Sequence, residues 1–124
     1  MPDKKILIID DDTRNIFALE ATLRAKGFFC KAFYDAEEAI EELKKSEWGA
    51  ILIDMMMPEM DGYEAIPKIR QIKGKEHVPI IAVTAQAMPG DREKCLAAGA
   101  NDYISKPIDV DRLLSVLKEQ LTEY

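Results

Sequence analysis

The sequence predicts an α/β fold: a parallel β-sheet with helices on both faces. Five short apolar runs alternate with five stretches of helical periodicity, and consecutive strands joined through helices build a parallel sheet covered on both sides. The first run is rich in Ile and Leu without an in–out alternation, which marks a strand buried on both faces.

The elements follow in order. Lys5 to Ile9 (KILII) reads as the first strand. From Asn15 to Lys26, Ile16, Leu19 and Leu23 fall at helical spacing and Gly27 stops the helix. Phe28 to Phe33 is a weaker strand whose Lys31 suggests a sheet edge. Asp35 to Glu38 (DAEE) has the form of a capping box, and Ala36, Ala39, Ile40 and Leu43 stripe the helix behind it. Ala50 to Ile53 is the third strand. Tyr63, Ile66 and Ile69 mark a third helix, in which Pro67 should produce a kink or a late start. Pro79 to Val83 is the fourth strand, and Pro89 to Gly99 holds the fourth helix. Asp102 to Ser105 is the fifth strand. Val110, Leu113, Leu114, Leu117 and Leu121 stripe the last helix, with Asp109 as its cap.

Composition sets bounds. The 124 residues fit one domain, read as residues 1–124, and 48% hydrophobic with 32% charged residues describes a globular chain. A net charge of -6 argues against a nucleic-acid-binding face. Cys30 and Cys95 stand far apart without CxxC spacing and read as reduced core thiols. The opening MPDKK lacks the apolar segment of a signal peptide, and no apolar run approaches the ~18 residues of a membrane span. A cytoplasmic protein with no membrane insertion is the expectation.

In parallel sheets of this kind, ligands bind beyond the carboxyl ends of the strands. The first strand leads into Asp10, Asp11 and Asp12; the third ends at Asp54, the fourth at Thr84, and Lys106 and Pro107 follow the fifth. Carboxylates held together repel and are pushed toward protonation unless a hard cation such as Mg²⁺ joins them. With the metal bound, one carboxylate can act as nucleophile toward phosphorus. Lys106 and the Thr84 hydroxyl would then meet the charged oxygens of the transferring group. Asp12 reads as a cap on the first helix, Met55, Met56 and Met57 as packing and loop residues, and His77, the only histidine, as an exposed loop residue.

The segments ILIIDDD, ILIDMMMPEMDG, IIAVTA and NDYISKP stand in that order along the chain. Together they resemble the receiver domain of two-component response regulators over essentially the whole length. The resemblance implies a flavodoxin-like, doubly wound five-stranded sheet of order 2-1-3-4-5. It implies Asp54 as phosphoacceptor, Asp11 as a direct Mg²⁺ ligand, Asp10 as a ligand through water, and the backbone carbonyl of Met56 as a further ligand. Thr84 and Tyr103 match the family's switch positions and Lys106 its lysine, with a cis Lys106–Pro107 peptide aiming that lysine at the acids. The implied donor is a phosphohistidine on a histidine kinase or histidine phosphotransfer domain, and the output is contact with a downstream protein.

Two other functions compete. A Mg²⁺-dependent aspartyl-phosphate phosphohydrolase would carry an acid two residues past its nucleophile, where this chain has Met56. A non-phosphorylated interaction module would have lost an acid or the lysine, and all are present. The expected activity is therefore self-catalysed phosphotransfer and dephosphorylation in a signalling switch, not turnover of a substrate. The segment DDDTRNIFAL resembles hybrid-kinase receivers, and with no effector segment after Leu121 a stand-alone regulator is the other expectation.

Overall fold

Four of the five helices are preceded by a capping aspartate, and the strands between them are almost wholly apolar. The computed structural model describes residues 4–85 and 88–121. Its elements are β1 (Lys5–Ile9), α1 (Thr13–Ala25), β2 (Phe29–Phe33), α2 (Ala36–Leu43), β3 (Ala50–Asp54), α3 (Gly62–Arg70), β4 (Ile80–Thr84), α4 (Asp91–Ala98), β5 (Asp102–Ser105) and α5 (Val110–Leu121). All strand pairs are parallel, in the order β2-β1-β3-β4-β5. β2 is an edge strand, and Lys31 on it is exposed.

Side-chain alternation splits the core into two layers. Leu7, Ile9, Ile51, Ile53, Ile80 and Ala82 face α2, α3 and α4. Ile6, Ile8, Ala50, Leu52 and Ile81 face α1 and α5, against Ile16, Leu19, Leu23, Leu113, Val116 and Leu117. Because both faces are covered, the strands need apolar residues at every position.

The helix starts are explained by their caps. Asp12 accepts hydrogen bonds from the amides of Arg14 and Asn15, at 3.0 and 3.4 Å, so α1 begins at Thr13, two residues before apolar spacing alone suggests. Asp35 accepts from Glu38 N at 2.8 Å, Asp61 from Glu64 N at 3.0 Å, and Asp109 from Asp111 N at 3.0 Å. Pro67 does not delay α3. Asp61 fixes the start at Gly62 and the proline lies exposed inside the helix, where it removes one donor.

Gly62 is required by proximity. A Cβ there would lie 2.3 Å from Met55 Sδ and 2.9 Å from Met55 Cα, and Gly62 N donates to Met55 O at 3.2 Å. The β3–α3 connection thus folds back on its own start, with Glu59 at φ 67 within it.

At the opposite end of the sheet, Arg70 gathers three segments. Its guanidinium donates to Gly99 O (2.7 and 3.1 Å), Val78 O (2.6 Å), Lys75 O (3.3 Å) and Asn101 Oδ1 (2.8 Å). No other side chain can fork this way. We expect Arg70→Ala to cost about 2–4 kcal/mol, since a polar group left unsatisfied costs about 1–3 kcal/mol. Arg70→Lys should recover less than half of that loss. Urea unfolding with an unchanged slope is the measurement.

Candidate functional site

Strand register brings the acids together. β1 and β3 pair with Ile9 beside Ile53, so the next residue of each is an acid, Asp10 and Asp54. Both continue the alternation that faces α1 and α5. Carboxylate oxygens of Asp10, Asp11 and Asp54 lie within 4.8 Å of one another, and only Asp11 of the three is exposed. Asp10 and Asp54 are 2% and 4% exposed.

Each buried acid has protein donors. Asp10 Oδ1 accepts from Asp12 N at 2.9 Å, and its Oδ2 from Asn15 Nδ2 at 2.6 Å. Asp54 Oδ1 accepts from Met56 N at 2.9 Å. Lys106 Nζ lies 3.2 Å from Asp54 Oδ2 and 3.8 Å from Asp10 Oδ2. The lysine is held there from β4, since Lys106 N donates to Thr84 O at 2.8 Å. The Lys106–Pro107 peptide is cis, as the resemblance implied.

Burial raises the pKa of Asp10. Its bonds from Asp12 and Asn15 and the Lys106 charge offset part of that rise, and Asp54 adds to it. Burial works against the Lys106 ammonium, but its bond to Asp54 and the charges of Asp10, Asp54 and Asp12 outweigh this and hold its pKa above the usual lysine value. Three acids faced by one ammonium are short of positive charge. An all-oxygen donor set of this kind suits a hard divalent cation of the Mg²⁺ class.

Thr84 is buried at the end of β4, opposite Ser105. Tyr103 lies outside the acid cluster: it is half-buried on β5, against the layer that faces α2, α3 and α4. Met55 and Met57 are buried while the side chain of Met56 points outward. His77 is exposed in a loop, and Cys30 and Cys95 are free and buried. No helix of the described residues is long and apolar enough to cross a membrane.

A model described as the response regulator receiver domain matches residues 6–118. The chain belongs to the receiver domain family. It is a phosphorelay signalling module and not an enzyme in the ordinary sense. Hybrid signal transduction histidine kinase I of Dictyostelium discoideum is 37% identical over 131 residues, covering 100% of this chain but 8% of that kinase. A magnesium-bound receiver domain of a sensor histidine kinase from Pseudomonas aeruginosa PAO1 superposes with TM-score 0.87 at 38% identity, covering 94% of this receiver and 96% of that chain. The complex of the Saccharomyces cerevisiae phosphotransfer protein Ypd1 with the receiver domain of Ssk1 gives TM-score 0.86 at 28% identity, covering 94% and 88%. That receiver domain is paired with a histidine phosphotransfer protein.

Asn15 is the site residue that sequence reasoning missed. It stands in the first turn of α1, where side chains tilt back toward the helix start, and this carries its amide to Asp10. The available signal was an amide three residues after a capping aspartate, which is weak alone. Asp10 itself should cost stability when no cation is bound, because it is a buried acid beside another acid. Asp10→Asn should raise the stability of the metal-free receiver, because it removes a buried negative charge held beside Asp54. Added Mg²⁺ should stabilise the wild type more than the variant. Urea unfolding with and without Mg²⁺ checks both.

Proposed function

We propose that Asp54 is the phosphoacceptor of this receiver and that Asp10, Asp11, Lys106 and Thr84 serve the transfer. The observation that carries the reading is the setting of Asp54: a buried carboxylate at a strand end, bonded by Lys106 and the Met56 amide, with two further acids within 4.8 Å. A carboxylate oxygen attacks phosphorus, the bond from phosphorus to the donor's imidazole nitrogen breaks, and that nitrogen keeps the electron pair. The Lys106 ammonium and the Met56 amide are donors positioned for phosphoryl oxygens. Asp11, Asp54 and the Met56 carbonyl would hold Mg²⁺ directly and Asp10 through water, and the ion would supply the positive charge that the cluster lacks.

The donor is a phosphohistidine on a histidine kinase or phosphotransfer domain, as the paired receiver of Ssk1 suggests. A groove of about 280 Å³ beside the cluster, lined by Asp12, Asn15, Ala18, Lys106, Pro107 and Val110, gives such a partner a seat. Phe17 on α1, 76% exposed, and Val110 at the start of α5 add exposed apolar surface on the flanking elements. Two free, buried thiols and the lack of a spanning helix among the described residues fit a cytoplasmic setting. Residues 1–124 act as one domain, and the output is contact with a downstream protein, not nucleic acid.

Incubation with Mg²⁺ and a small phosphodonor should add one phosphoryl group, visible by intact-mass spectrometry. Asp54→Asn or chelation should abolish the addition. Full labelling of the Asn variant would overturn the assignment.

Thr84 and Tyr103 form the proposed switch. A phosphoryl group on Asp54 draws the Thr84 hydroxyl, and the half-buried Tyr103 turns further inward on the adjacent strand. The phosphate biases this equilibrium only through contacts that differ between the two states. Thr84→Ala should still accept phosphate while losing ~1.5–3 kcal/mol of the bias, the worth of one charge-assisted hydrogen bond. NMR of Tyr103 with and without beryllofluoride measures it; a full shift in the Ala variant would refute the coupling.

A further inference from the structure

Away from the acid cluster, the face formed by α2 and α3 carries two clefts of opposite charge. Toward the carboxyl rim of the sheet, Asp35, Glu37, Glu59 and Glu64 border a cleft of about 220 Å³ that also includes Pro58 and Met60. Toward the other end of the same helix pair, Lys44, Lys68 and Lys73 border a cleft of about 520 Å³ with Ile40 and Ile72 in its wall. Of these seven charged side chains, only Lys44 enters an ion pair among the described residues, with Glu41 on its own helix.

Part of the pattern has a local cause. α2 and α3 both follow strands of a parallel sheet on one face, so they run in the same direction. Acids near helix N-termini and lysines near C-termini complement the helix dipole. Two parallel dipoles side by side repel, and helices running in the same direction cannot offset one another. A partner whose helices run the opposite way would offset them.

We propose that the α2–α3 face is an isologous contact between two copies of this chain, related by a two-fold axis across the helix pair. In that arrangement the acidic cleft of each copy faces the lysine cleft of the other, twice, and the two helix pairs lie antiparallel. An acidic peptide would engage the lysine cleft alone and leave the acidic cleft unexplained. A second copy engages both. The contact is weak, because α2 and α3 span only 8 and 9 residues and each copy carries a net charge of -6. The contact is independent of the phosphoacceptor assignment.

Sedimentation equilibrium of the unphosphorylated chain tests the contact. At ~0.1 M salt the Debye length of ~10 Å screens the overall repulsion while leaving contact pairs effective. The wild type should dimerise in a concentration-dependent way between micromolar and millimolar protein. Glu64→Lys and Lys68→Glu should each raise the dissociation constant about tenfold, since symmetry turns two attractive pairs repulsive in each dimer. An equimolar mixture of the two variants should dimerise again, because one copy then presents only acids and the other only lysines at these positions. Circular dichroism confirms that both variants fold. A wild type that stays monomeric overturns the proposal. So does a dimer indifferent to both substitutions, or a mixture that associates no better than either variant alone.

Discussion

Negative charge crowds one end of the sheet, where oxygens of Asp10, Asp11 and Asp54 lie within 4.8 Å of one another. β1 and β3 are parallel neighbours in a register that carries both chains off the sheet at an aspartate, Asp10 and Asp54. Two like charges about 5 Å apart repel by ~3 kcal/mol at an effective dielectric near 20, and their burial adds to that cost. The fold tolerates it because the surrounding core is rigid and because Lys106 reaches in from the far side. That lysine arrives on β5, two strands from β3, with its backbone tied to Thr84 at the end of β4. The site therefore exists only when β1, β3, β4 and β5 are in register together.

The loops divide the work among residues of one type. Three consecutive aspartates follow β1, and each has a different setting. Asp10 turns inward and takes bonds from Asp12 N and Asn15. Asp11 is exposed yet keeps an oxygen within reach of the other two acids. Asp12 caps α1 and so holds Asn15 where it can reach Asp10. The β3–α3 loop works likewise: Gly62 lets it fold onto Met55, and Met56 is left with its amide on Asp54 and its side chain in solvent. Both loops owe their shape to helix caps and close backbone approach, which is how a site of small tolerance sits on connections.

The two faces of the sheet carry separate tasks. The acids project toward α1 and α5, where exposed apolar residues and a groove adjoin them. Tyr103 packs on the opposite layer, so the proposed coupling of Asp54 to Tyr103 would have to cross the sheet through β4 and β5. The α2–α3 pair, with its segregated charges, lies on that same opposite layer.

From the chain alone came the five-fold alternation of strand and helix, the boundaries of β1 and β5 and the edge position of β2, while β3 and β4 each end one residue beyond their apolar runs, at Asp54 and Thr84. Those features are local: apolar runs, helical spacing and punctuating glycines act within a few residues. Family resemblance supplied the strand order and the role of each acid. Tertiary structure decided what local rules cannot express. The starts of α1 at Thr13 and α3 at Gly62 are by contrast local, set by the Asp12 and Asp61 caps, which outrank apolar spacing and Pro67. The Asn15 contact with Asp10, the fork of Arg70 across three segments and the opposite charges of the α2–α3 clefts were all illegible. Each depends on residues far apart in the chain, or on the direction in which a side chain leaves its helix, and only packing brings those together.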